Sequence, residues 1–240
     1  MNEVMRNRFD EFQERVDEVI AEVKPRLRGW LHLVIAPLAL AAGIVLVALS
    51  PDATTRIGSA AFALSAFILF SVSAIYHRGR WSPRTHGILR RVDHSNIFIL
   101  IAGSCTPFAL LLLEGTDRWA MLGVVWGSAL AGVVMKVLWV GAPRWLSAPI
   151  YIALGWEPVF FFGGFVDGAA RTYDHSIGTA IMVLVVVGGA LYTIGAVVYG
   201  TKRPNPWPQW FGFHEVFHSF TILAFISHYV GISIATYSLR

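Results

Sequence analysis

The segment HEVFH, His214 to His218, carries the spacing of a metal-binding helix. Residues four apart on an α-helix share a face and stand about 6 Å apart along its axis, so two imidazoles can reach one cation. Two ligands are too few for zinc, which takes four protein ligands in a structural site and three plus an open water position in a catalytic one. A third ligand must come from elsewhere in the fold. The same five residues satisfy the HExxH pattern of zinc proteases, in which Glu215 would be the general base. The single cysteine, Cys105, excludes a thiolate zinc site and an internal disulfide, so further ligands must be His, Asp or Glu.

These residues have to be positioned by helices in a membrane. With 55% apolar and 14% charged residues among 240, and a mean hydropathy of +0.59, the chain lies outside the soluble globular range. Seven stretches, near 30–49, 57–76, 94–113, 119–140, 147–166, 177–199 and 213–235, are long enough at about 20 residues to cross a hydrocarbon core. The connections SPDATTR and EGTDR are too short for a soluble domain, so residues 29–240 are expected to form one all-α, seven-transmembrane helix bundle. Residues 1–28 are charged, yet Phe9, Phe12, Val16, Val19, Ile20, Val23 and Leu27 recur at three- and four-residue steps, which predicts an amphipathic helix at the interface. No cleaved signal peptide is expected there. Gly123 and Gly127 form a GxxxG in the fourth span, a mark of close helix packing.

Of the 19 Lys and Arg residues, all but Arg56, Arg118, Arg171 and Arg240 fall in the N-terminal region and in the second, fourth and sixth loops. That bias places the N-terminus in the cytoplasm and, after seven spans, the C-terminus outside, in a multi-pass protein of the cytoplasmic membrane. The net charge of +4 is then a topology signal, and no nucleic-acid partner is expected.

In this topology three helices deliver ionisable groups to one depth. The second span ends in SVSAIYH, with His77 at its cytoplasmic end and Ser73 one turn deeper on the same face; the third begins at RRVDHSN, with Asp93; the seventh begins at FGFHEVFH. Ionisable side chains at the edge of the hydrocarbon are costly unless paired or metal-bound, so His77, Asp93, His214 and His218 together point to a metal site. Spacing does not tell whether Asp93 is a ligand or a base. His228, about 15 Å further along its helix than His218, cannot share that metal. His32, His86, His94 and His175 have no partner at ligand spacing, and a structural or solvated role is expected for each. Glu157, near the middle of the fifth span, requires a buried partner or a proton that the sequence does not name.

The set SAIYH, DHSNIFILIAGSCTPF and PWPQWFGFHEVFH, in this order over seven spans, resembles the hemolysin III family of the progestin and adipoQ receptor superfamily. That superfamily includes adiponectin receptors and has alkaline ceramidases as more distant relatives. The resemblance implies a Zn²⁺ held by His77, His214 and His218. It further implies that Asp93 holds or deprotonates the zinc-bound water and that Ser73 orients it or the substrate.

Two functions of different class follow. One is a zinc-dependent hydrolase of lipid amide or ester bonds, ceramidase-like in chemistry, acting on a ceramide-like lipid or phospholipid near the cytoplasmic leaflet and contributing to membrane lipid homeostasis. The other is a lipid or membrane-state sensor whose zinc ties the helices together. A pore has no support in the sequence, because no polar stripe lines the spans. In the proline-rich segment PNPWPQW, Trp207 and Trp210 suit the headgroup zone, as an anchor or as a gate.

Overall fold

The computed structural model describes residues 25–240 apart from Val140. The amphipathic helix expected over residues 1–28 therefore lies outside the described residues, except that residues 25–28 form a turn. The helices are α1 (Trp30–Ala48), α2 (Ala53–Arg78), α3 (Pro83–Leu112), α4 (Gly115–Leu138), α5 (Arg144–Gly155), α6 (Phe162–Thr172), α7 (His175–Thr201) and α8 (Phe213–Tyr237), with a 3₁₀ turn over Glu157–Phe161 between α5 and α6. They make seven spans long and apolar enough to cross a membrane, α5 and α6 together forming the fifth. Val34, Leu38, Ile44, Leu64, Leu130 and Phe160 point outward. Such an apolar exterior suits acyl chains, and the spanning backbone is α-helical apart from a stretch within the fifth span, so most of its polar groups are satisfied internally. The chain is a multi-pass integral membrane protein.

Local chemistry starts the helices that matter to the site. Asp52 Oδ1 accepts from Thr55 N at 2.9 Å and Thr55 Oγ1 accepts from Asp52 N at 3.2 Å, a reciprocal cap for α2. Ser82 Oγ accepts from Thr85 N at 3.3 Å and Pro83 takes the first position of α3. This cap starts α3 well before residue 94, where the expected span began, because Arg84, Arg90 and Arg91 are helical although too polar for the hydrocarbon. Asp93 consequently lies nearly three turns inside α3, about 15 Å from its start.

The span expected over 147–166 is present, but its helix is interrupted. Pro158 lacks an amide hydrogen and clashes with the preceding turn, so the α-helix stops at Gly155 and resumes at Phe162. The glycines of the GxxxG pair also differ from expectation. A Cβ built on Gly123 or Gly127 would have no atom of the described residues within 4 Å, so the pair faces outward from them. Close approach occurs instead at Gly168, which lies against the backbone of Leu112, and at Gly132, against the Phe98 ring. The last helix runs along α7 and closes on α1, α2 and α3. Phe225 of α8 meets Phe62 and Phe70 of α2 with ring centroids 5.3 Å apart in both pairs, which holds α8 against α2.

Candidate metal centre

The last turn of α2 carries His77, with buried Ser73 one turn before it, and the first two turns of α8 carry His214 and His218. One ligand atom from each of His77, His214 and His218 lies within 4.8 Å of the other two. His214 Nε2 and His77 Nε2 are 3.2 Å apart. Nitrogens about 2.0–2.1 Å from a tetrahedral ion stand about 3.3 Å from each other, so this pair already has the spacing of two corners of a site. Without an ion, one of the two would have to donate a hydrogen to the other. His77 and His218 are 7% and 3% exposed, and a three-imidazole donor set suits several first-row metals. The triad can hold a metal ion.

Asp93 stands beside this set rather than within it. Its Oδ2 is 3.8 Å from His77 Nε2 and 3.8 Å from His94 Nδ1, and the Ser73 hydroxyl faces the same carboxylate. The four residues expected to converge, together with Ser73, are thus neighbours, and His94 joins them through Asp93 although no sequence spacing pointed to it. His94 Nδ1 also meets the carbonyl oxygen of Arg90 at 2.8 Å, one turn back on α3.

His32 is the residue that spacing missed. It lies on α1, 2% exposed, with its ring flat on His218 at a centroid distance of 3.8 Å and an interplanar angle of 11°. Neither of its ring nitrogens has a hydrogen-bond partner among the described residues. Its neighbour in space is separated from it by almost the whole chain, so no local pattern could have linked them.

Glu215 turns away from the triad. Its Oε1 accepts from the Arg28 guanidinium, and its Oε2 accepts from Gly212 N at 2.8 Å, capping α8. Both oxygens are committed and the residue is fully buried, which removes it from the base position that the HExxH pattern offered. The same contact closes the chain before α1 onto the PNPWPQW segment. Arg26 N donates to Gln209 O at 3.0 Å, Leu27 N donates to Trp210 O at 3.1 Å, and the Arg26 guanidinium lies 4.5 Å from the Trp210 ring centre. That segment is stitched to residues 26–28.

The partner that Glu157 required is Ser128 of α4, whose Oγ donates to Glu157 Oε2 at 2.9 Å. His228 is remote from the triad, with Nε2 3.3 Å from Val185 O. A cavity of about 580 Å³ joins the two regions, with Ser73, Asp93, His214 and His218 in its wall at one end and His228 at the other. Most of its wall is apolar, including Ile97, Leu100, Phe108 and Phe165.

Comparison with known proteins agrees with this architecture. The family described as "Haemolysin-III related" matches residues 20–229. The "Hemolysin-3 homolog" of Bacillus subtilis (strain 168) is 33% identical over 161 residues, covering 67% of this chain and 68% of its own. The "Monocyte to macrophage differentiation factor" of Rattus norvegicus is 23% identical over 239 residues, 95% of this chain and 92% of its own. The "Adiponectin receptor protein" of Drosophila melanogaster is 25% identical over 188 residues, 72% of this chain and 41% of its own. With the family match running from before the first span into the seventh and including all three histidines of the triad, the chain belongs to the haemolysin III family, within the progestin and adipoQ receptor superfamily.

Proposed function

We propose that the protein is a zinc-dependent hydrolase of lipid amide or ester bonds, acting near the cytoplasmic leaflet and contributing to membrane lipid homeostasis. The observation that carries this is the position of Asp93. A structural zinc site is usually closed by four protein ligands, whereas His77, His214 and His218 form the mutually close set and Asp93 stands outside it, 3.8 Å from His77 Nε2. That leaves three ligands, an open position and an adjacent carboxylate, in the wall of an apolar cavity.

Zinc held by these imidazoles would supply a Lewis acid for a carbonyl oxygen and would make a water acidic near neutral pH. Asp93 is the base that takes the proton of the attacking water. Ser73 orients the Asp93 carboxylate through its hydroxyl. The apolar stretch of the cavity receives the acyl chain and excludes bulk water, and the released amine or alcohol leaves toward the headgroup zone. A ceramide-like lipid or a phospholipid offers the bond and chain such a site needs.

The test is mass spectrometry of fatty acids released from mixed ceramides and phospholipids by purified protein, with zinc content measured in parallel. Release by wild type and none from a zinc-loaded Asp93→Ala variant is the expected result. No release from fully zinc-loaded wild type across a broad lipid set would transfer the assignment to a sensor. The name of the Drosophila relative, a receptor protein, favours that second function.

A further inference from the structure

The far end of the cavity holds polar chemistry that hydrolysis does not use. His228, Tyr192 and Ser104 all line it there. His228 is 8% and Ser104 2% exposed, yet among the described residues His228 Nδ1, the Tyr192 hydroxyl and Ser104 Oγ have no hydrogen-bond partner of ordinary length. The three come from different helices, α8, α7 and α3, and they converge: the Tyr192 and His228 ring centroids are 5.6 Å apart, and the Tyr192 hydroxyl stands beside Ser104. Gly188 makes the arrangement fit, since a Cβ there would strike the His228 imidazole. The Tyr192 and Ser104 oxygens thus have at most a weak contact with each other, and His228 Nδ1 has none; buried polar groups are almost always satisfied, so the space they share marks a missing partner.

The hydrogens define what that partner is. His228 Nε2 faces the carbonyl oxygen of Val185, which only accepts, so Nε2 carries the hydrogen and Nδ1 is the bare acceptor. The partner must donate to Nδ1 and can accept from Tyr192 or Ser104. A carboxylate only accepts and a methylene does neither, whereas an aliphatic hydroxyl does both. The ten residues from His218 to His228 put this cluster about 15 Å from the triad along α8.

We propose that this cluster is a second subsite, which recognises a hydroxyl carried partway along the acyl chain of the cavity's lipid. It rests on the assignment of the cavity to a lipid chain, but not on hydrolysis or on a bound metal. The subsite sets the register of the chain, so that the head reaches His77, His214 and His218 only when the hydroxyl is seated.

The experiment is competition binding to the full-length protein in detergent, with a fluorescent fatty acid displaced by stearate or by monohydroxystearates whose hydroxyl is stepped along the chain. It is run with and without prior chelation. One mid-chain isomer should bind about tenfold more tightly than stearate, as one or two net hydrogen bonds allow. Tyr192→Phe and Ser104→Ala, each losing a single oxygen, should erase that preference, read within each variant as the ratio of its affinity for the isomer to its affinity for stearate. Equal affinity for all isomers in the wild type would overturn the subsite and give the cluster to water. A preference that survives Tyr192→Phe, Ser104→Ala and His228→Leu would overturn it as well, by placing the hydroxyl elsewhere. Failure of stearate itself to bind would instead remove the lipid-chain assignment, and the subsite with it.

Discussion

Arg28→Leu tests whether Glu215 is a structural anchor or a catalytic group. The substitution strips the cation from a carboxylate that is 1% exposed and leaves it one hydrogen bond, from Gly212 N. Breaking a buried pair from one side costs about 3–5 kcal/mol. Arg28 retains 18% exposure, so water partly replaces it, and the loss should fall at the low end, about 3 kcal/mol. Glu215→Leu should cost less, about 2 kcal/mol, because Arg28 can turn toward solvent while α8 loses a capping contact worth about 1 kcal/mol. In the double variant no charge is stranded, so the two losses should not add, and the coupling should be about 2 kcal/mol.

The assay is thermal unfolding in detergent micelles, followed by tryptophan fluorescence. For a chain of this size 1 kcal/mol moves the midpoint by about 2–4 °C, so Arg28→Leu should lower it by about 6–12 °C. Additive losses in the double variant would refute the ion pair as an energetic unit. A Glu215→Gln protein of wild-type stability that had lost zinc-dependent hydrolysis would return Glu215 to the base position and displace Asp93.

Three further outcomes follow from the structure. His218→Ala and His214→Ala should each lose bound metal in elemental analysis while Asp93→Asn keeps it; full retention in His218→Ala would refute the triad. Chelation should lower the unfolding midpoint of wild type, since an ion at a hundredfold excess over its dissociation constant contributes about 2.7 kcal/mol, and zinc should restore it; the midpoint of His218→Ala should not respond to either treatment. Gly168→Ala should destabilise by about 1–3 kcal/mol, because its neighbour is the Leu112 backbone, which cannot rotate away. Gly123→Ala and Gly127→Ala, with open space around them, should change stability by less than about 0.5 kcal/mol; a loss equal to that of Gly168→Ala would show that the outward pair packs against something.

What the sequence made legible was periodic or terminal. His214 and His218 are visible because four residues make about one helical turn, and His77 because it ends an apolar run. The seven spans were visible for the same reason. Features carried by contacts between distant segments were not. His32 meets His218, Glu157 meets Ser128, and Glu215 meets Arg28, none of them through a repeat in the chain. Two features of the helices themselves had local signals. Ser82 followed by Pro83 marks a helix start that a search for apolar runs passes over, and Gly155 with Pro158 around Glu157 marks the broken span.

The break and the half-buried Glu157 carboxylate bear on each other. A carboxylate within the hydrocarbon needs donors, and a regular helix has none free in its middle because each amide is already bonded to a carbonyl. The 3₁₀ turn that Pro158 imposes interrupts that ladder, and the Ser128 hydroxyl of α4 reaches Glu157 at this level of the fifth span. Gly155, Trp156, Pro158 and Val159, all at the break, line the cavity that contains the triad. The irregular backbone therefore forms part of the cavity wall, where departures from helix are tolerated in a membrane. A continuous fifth helix would have packed a smooth apolar face there; the broken one leaves a chamber between the metal helices and α7, which is the space a lipid chain requires.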